Sequence, residues 1–370
     1  MPRIDAFLKL GREQDCSDIH LTIGLPPMVR LDGELIPLKY RELTRDETTT
    51  LIMEILGEDE IAQLKEGGSV DLSYNAEGVG RFRINVFQQH RGVSAVCRVI
   101  ADKVPELSDL GLPSIVSRIA MVNAGLILVT GAAGTGKSTS LAAVINEINT
   151  NRNVNILTLE DPVEFLHEDK QGMVIQRELG THVRSFSEGL RSALRQDPDV
   201  ILVGEMRDLE TISLALEASE TGHLVLGTLH TRGAYQTIHR IVDSFPSEVH
   251  SQVRNTLAES LKCVMSQELI RVADGRGRRA VTEIMVSTPA INQMIRDGKT
   301  FQIPQAMATG RRHGMHLMDQ SMLQLVQASE IDPDEAYNRA TDKRDFVPFV
   351  NNPDLIANSS RTMQRPKKAG

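Results

Sequence analysis

The sequence predicts two domains, a small α+β domain followed by a larger α/β domain on a parallel sheet, and three observations carry that reading. The chain has 370 residues, more than most single cores accommodate. Residues 17–100 contain short runs of alternating apolar and polar residues, the pattern of strands with one solvated face. From residue 113 the pattern becomes near-continuous branched-apolar runs, each followed by a helical or polar segment. Strands buried on both faces of a parallel sheet require such runs.

In the first domain, residues 1–101, "SDIHLTI" and "MVRLDGELIPL" read as strands, with Asp32-Gly33 as a two-residue hairpin signal. "GRFRINVFQQ" puts Phe82, Ile84 and Val86 on one face and Arg81, Arg83 and Asn85 on the other. "DETTTLIMEILGEDEIAQLKEG" between them follows a helical period. Pro105 and Gly111 mark residues 102–112 as the inter-domain linker. In the second domain, residues 113–350, the strands are "GLILVT", "NILTLE", "DVILVGE" and "HLVLGTLH". "INQMIRDGKTFQIPQAMATG" and "MHLMDQSMLQLVQASE" read as helical, and the Met315, Met318, Met322, Leu325 stripe reads as core. Residues 351–370, with turn formers, no apolar period and a basic end, read as a disordered tail.

Composition is that of an ordinary globular chain, 41% hydrophobic and 24% charged. A formal net charge of −8 argues against a generic nucleic-acid binder. Cys16, Cys97 and Cys263 stand far apart with no CxxC pair, so neither a zinc site nor a disulfide framework is expected, and a reducing compartment fits. The N-terminus meets Asp5, Lys9, Arg12 and Glu13 before a secretory apolar core could form. No stretch approaches the roughly 20 apolar residues of a spanning helix. The expected location is cytoplasmic, with membrane association only through partners.

The chemistry centres on "GAAGTGKSTSLAAVINEI", residues 131–148. Gly131, four residues, then Gly136-Lys137-Ser138 satisfy the Walker A pattern between a strand and an apolar-periodic helix. Gly131, Ala132, Ala133, Gly134, Thr135, Gly136, Lys137, Ser138 and Thr139 are the expected nucleotide contacts. The glycines let backbone N–H groups curl around an anion at a helix N-terminus. Lys137 would reach the β and γ phosphates of ATP, and Ser138 would ligate Mg²⁺.

Hydrolysis also needs a positioned water and charge handling around the metal. "DVILVGE" puts Glu205 at the carboxyl end of a buried strand, where open α/β sheets bind ligands, and Glu205 is assigned to the Mg²⁺ shell through water. In "NILTLEDPVEF", Pro162 turns the chain after the strand. Glu164 is then the expected residue that polarises the water, with Glu160 as the second candidate. "ETGHLVLGTLHT" sets His223 and His230 at the two ends of one strand; either could report on a γ-phosphate, although each alone is more commonly structural.

"GAAGTGKS", "TLEDPVEF", "ILVGEMRD" and "ETGHLVLGTLHT" follow in that order and together resemble the Walker A, Asp box, Walker B and His box of the secretion ATPase superfamily. Within it, residues 1–345 resemble the type IV pilus retraction ATPases, the PilT family. The resemblance implies a PAS-like domain before a RecA-like ATPase domain, and a homo-hexamer with ATP between protomers. It implies that N-terminal arginines reach the phosphates, here Arg81, Arg83 and Arg98. It also implies pilus retraction, a platform protein of the inner membrane as partner and a place at that membrane's cytoplasmic face; the acidic charge balance, in turn, argues against a stable nucleic-acid complex. Two departures matter. The family's "AIRNLIRE" motif is here "AINQMIRD", residues 290–297, with Asn292 in place of the first arginine. The tetracysteine zinc insert of assembly and export relatives cannot be built from three isolated cysteines, which favours retraction. An accessory retraction or type II secretion ATPase, or a nucleotide-binding regulator with little turnover, remain alternatives.

Overall fold

The computed structural model describes residues 2–14, 16–31, 34–100, 103–275 and 277–356, and it divides into two units between Lys103 and Val104. Asp32-Gly33, Asp102 of the expected linker and residues 357–370 of the expected tail lie outside the described residues. Residues 353–356, expected to be disordered, form a helical turn.

The first unit runs α1 (Ile4–Glu13), β1 (Asp18–Leu21), β2 (Met28–Leu31), β3 (Glu34–Pro37), α2 (Arg45–Met53), α3 (Glu58–Gly67), β4 (Ser69–Ala76), β5 (Gly80–Gln89) and β6 (Gly92–Val99). Its sheet has the order β3-β2-β1-β6-β5-β4, antiparallel throughout. Phe82, Ile84 and Val86 enter the core with Ile4, Leu8, Ile19 and Leu51, while Arg81, Arg83 and Asn85 stay partly exposed. The single helix expected over residues 46–67 is two. Gly57 is extended, and α3 restarts behind it with Glu58, Asp59 and Glu60 in its first turn, where the helix dipole favours acids. Strand β4 turns Val70 and Ala76 inward, but the intervening Asp71, Ser73 and Asn75 are turn formers that hide its period.

The second unit runs α4 (Ile115–Ala120), β7 (Gly125–Thr130), α5 (Lys137–Asn151), β8 (Asn155–Glu160), β9 (Met173–Glu178), α6 (Phe186–Ala193), β10 (Val200–Val203), α7 (Leu209–Glu220), β11 (Leu224–Leu229), α8 (Ala234–Val242) and α9 (His250–Ser260). There follow β12 (Leu261–Arg271), β13 (Arg278–Val286), α10 (Pro289–Arg296), α11 (Ile303–Thr309), α12 (Met318–Gln327) and α13 (Pro333–Arg339). The sheet order is β13-β12-β7-β11-β10-β8-β9. All neighbours are parallel except the β12–β13 hairpin.

Continuous apolar strands serve two cores at once. Leu126, Leu128, Leu157, Leu159 and Ile201 pack on one side, with residues of α6 to α9. Ile127, Val129, Ile156, Val200 and Leu226 pack on the other, with α4 and α5. Met315 joins the first of these cores, and Met322 a third cluster with Tyr337 and Phe346, against which Met318 and Leu325 pack. Among the described residues no helix is long and apolar enough to cross a membrane.

Leu226 is fully buried in the central layer of this sheet, so Leu226→Ala should cost about 2–5 kcal/mol of stability. Urea unfolding of the full chain, followed through the loss of helix signal, checks this.

Candidate functional site

Four strand ends converge on one cleft of about 220 Å³. β7 delivers the glycine loop, β8 delivers Glu160 and the segment to Glu164, β10 delivers Glu205, and β11 delivers His230. All four strands point the same way, so their carboxyl ends form a single rim, the place where open α/β sheets hold ligands.

The glycine loop is built for close approach. Gly131, Gly134 and Gly136 have φ of 144°, 76° and 83°, a region that side chains disfavour. A Cβ on Gly131 would stand 2.4 Å from the Gln267 carbonyl oxygen, so only glycine fits there. Gly136 caps α5, and Lys137 opens it. The Lys137 ammonium donates to the carbonyls of Gly131 and Ala132, each at 2.9 Å. Burial pushes it below the usual lysine range, partly offset by the Glu205 and Glu164 carboxylates.

Beneath the loop lies Gln267 on β12, 2% exposed. Its amide donates to the Thr135 carbonyl at 2.7 Å and accepts from the Ser140 hydroxyl at 2.7 Å. One side chain therefore ties both the loop and the first turn of α5 to the sheet. Sequence reading misses it, because a glutamine inside an apolar run carries no motif.

The acids differ in kind. Burial alone would raise the Glu205 carboxyl, but Arg207, in contact with it, and His230 Nε2, 2.8 Å away, outweigh burial and hold it below the ordinary range. It therefore stays ionised at neutral pH. The Ser138 hydroxyl stands in the same lining, and oxygen groups of this kind are what Mg²⁺ takes, directly or through water. Glu160 is the opposite case: burial raises its pKa, and hydrogen bonds from Thr158 (2.6 Å) and Gln176 (3.1 Å) only partly restore it. Glu164 lines the cleft with its side chain exposed. His167, also in the lining, is driven down to about 4, by burial first and by Lys170 second, so it is neutral at pH 7.

One expected residue is misplaced. His223 precedes β11, at the end of the sheet opposite the glycine loop, and its Nδ1 meets the Ala218 carbonyl at 3.0 Å and Thr221 Oγ1 at 3.3 Å. It closes the turn after α7 and is no part of this cleft. Arg81, Arg83 and Arg98 belong to the first unit. Arg83 and Arg98 are directly opposite across β5 and β6, and Arg81 shares their face. Arg98 pairs with Asp18 at 2.9 Å and Arg83 with Asp71 at 3.7 Å. In the departing motif, Asn292 accepts from the Ser287 hydroxyl, while Ile291 and Ile295 are buried.

A family profile described as "Type II/IV secretion system protein" matches residues 4–346. The chain belongs to that family. It is 46% identical over 343 residues, 93% of this chain and 99% of the relative, to the protein of Pseudomonas aeruginosa named "Type IV pilus retractation ATPase PilT". It is also 46% identical over 314 residues to the "Twitching motility protein" of Neisseria gonorrhoeae, covering 85% and 84% of the two chains. Among solved structures, one described as the pilus retraction motor PilT with bound ADP superposes with a TM-score of 0.86 at 42% identity, covering 92% of this chain and 98% of that one. The second unit is accordingly a RecA-like ATPase domain, and the first a smaller α+β domain.

Removing the Gln267 amide should leave a buried carbonyl and hydroxyl unpaired at a cost of about 1–3 kcal/mol. We expect Gln267→Leu to weaken binding of a fluorescent ADP analogue by roughly tenfold or more, measured by anisotropy titration. A second expectation concerns pH. Glu160 keeps its proton to higher pH folded than unfolded, so it lowers stability as pH rises from the ordinary glutamate value near 4.3 through its folded value. Glu160→Gln removes that penalty, and its gain in Tm over wild type should be larger at pH 7 than at pH 4 in thermal melts.

Proposed function

We propose that this chain is the ATP-hydrolysing motor of type IV pilus retraction, working as a homo-hexamer. The observation that carries the reading is the cleft itself, in which a phosphate-cradling helix N-terminus faces one ionised carboxylate and one exposed carboxylate at neighbouring strand ends. The relatives' names add the process.

Each residue then has a task. The backbone amides around Gly134 to Ser138 bind the phosphates, and Lys137 exchanges its carbonyl contacts for phosphate oxygens. Ser138, and Glu205 through water, would hold Mg²⁺, which would neutralise charge on the phosphates. Glu164 orients the attacking water, with Glu160, which donates or accepts according to its proton, as the second candidate. His230, beside Glu205, reads the presence of the γ-phosphate. Arg81, Arg83 and Arg98 of a neighbouring protomer complete the site, which supports a ring in which hydrolysis loosens an interface and turns one domain against the next. Their shared face offers three guanidinium groups with two acids in partnership, so exchange for a phosphate is feasible.

The motor would act at the cytoplasmic face of the inner membrane, docked on the platform protein of the pilus. It would form no stable complex with nucleic acid. Its place on the membrane would come from partners alone.

In cells lacking the protein, wild type should restore twitching motility, whereas Lys137→Ala should leave the cells piliated and immobile. With purified protein, replacing Arg81, Arg83 and Arg98 by Ala should lower phosphate release by roughly 10³–10⁵-fold while ATP binding persists. Unchanged release would overturn the assignment of these arginines.

A further inference from the structure

The segment after β8 that carries Glu164 has no regular secondary structure, yet its backbone is bonded on both sides of that residue, and the partners come from one strand. β9 lies at the sheet edge beside β8, with Thr158 opposite Gln176 and Glu160 opposite Glu178. Gln176 and Glu178, two residues apart, share a face of the strand. Glu178 Oε2 accepts from the Val163 N–H at 3.0 Å. The Gln176 amide accepts from the His167 N–H at 2.9 Å and donates to the Phe165 carbonyl at 2.8 Å. Its second donor bond goes to the Glu160 carboxylate at 3.1 Å, which also accepts from the N–H of Glu164. Residues 163, 164, 165 and 167 are thus all anchored through their backbones. The Glu164 side chain lines the cleft and takes no part in these backbone bonds.

A carboxylate that must place one water gains from such a mounting. A displacement of about 1 Å can cost a hundredfold in rate, and an irregular segment has no ladder of its own to prevent it. We propose that Gln176 and Glu178 are positioning residues for Glu164, and that the edge strand β9 is the rack on which the catalytic segment is registered. Gln176 also links the two carboxylates, since the same amide holds Glu160 and the backbone behind Glu164. This rests on the ATPase reading above.

The test uses the full chain, with steady-state phosphate release for turnover and a fluorescent ADP analogue for binding. Gln176→Ala should lower kcat by roughly ten- to a hundredfold, with the analogue's Kd within about threefold of wild type. In a Glu164→Ala background the same substitution should have no further effect on kcat, because two residues acting through one water do not add. Glu178→Gln, which keeps an acceptor for Val163, should retain turnover that Glu178→Ala loses; this pair carries the test if Gln176→Ala is insoluble. Wild-type kcat in Gln176→Ala, an undiminished loss on top of Glu164→Ala, or binding weakened in step with kcat would each overturn the proposal. If Lys137→Ala abolishes release while Gln176→Ala keeps wild-type kcat, the positioning role alone fails. If Lys137→Ala releases phosphate normally, the ATPase reading fails and takes this proposal with it.

Discussion

The structure depends most on one constraint: several backbone N–H groups at the head of α5 must point at a single small volume. An ordinary chain cannot do this, since consecutive amides diverge. Three glycines with positive φ supply the curl, and the helix behind them supplies the field. The curl has no stability of its own. It is held from below by Gln267, which bonds Thr135 on one side and Ser140 on the other, and by the sheet hydroxyls, where Thr130 and Ser266 meet at 2.7 Å. A central strand, a buried glutamine and a glycine-only turn are therefore parts of one device.

The charges follow from that device. A buried ammonium and a buried carboxylate each resist ionisation. In the cleft Lys137 is depressed, Glu160 raised and Glu205 lowered. These shifts have different origins. Glu205 escapes its burial through Arg207 and His230, whereas Glu160 has only neutral donors in Thr158 and Gln176. Two carboxylates on adjacent strands are thereby shifted in opposite directions, one lowered and one raised. Shifted values of this kind cluster at functional sites.

Much of this was legible in the sequence because it is local. The glycine loop, its strand and its helix are contiguous, and strands buried on both faces show it in their apolar runs. Glu164 and Glu205 could be placed beside the glycine loop because each lies within a few residues of the carboxyl end of such a strand. His223 shows the limit. "ETGHLVLGTLHT" is nearly symmetric around its strand, but a parallel sheet has only one ligand-binding end, and direction rather than spacing separates His230 from His223. β9 and β12 were illegible for a different reason. Gln176, Glu178 and Gln267 break the apolar pattern because their side chains bond loops distant in sequence, and no local period records that. The division of the helix at Gly57 was visible as a glycine before three acids, a signal weaker than the apolar period running across it.

Strand β12 has commitments on both sides. Gln267 and Leu269 lie against the turn at Gly136. Ile270 faces the opposite way, into the cluster of Met322, Tyr337 and Phe346, and Glu268 grips Arg339 of α13 at 3.0 Å. A strand cannot slip by one residue without exchanging its faces. The phosphate turn and the C-terminal helices are thus bolted to alternate teeth of one stiff bar, and a tilt at either end is handed to the other with no slack to absorb it.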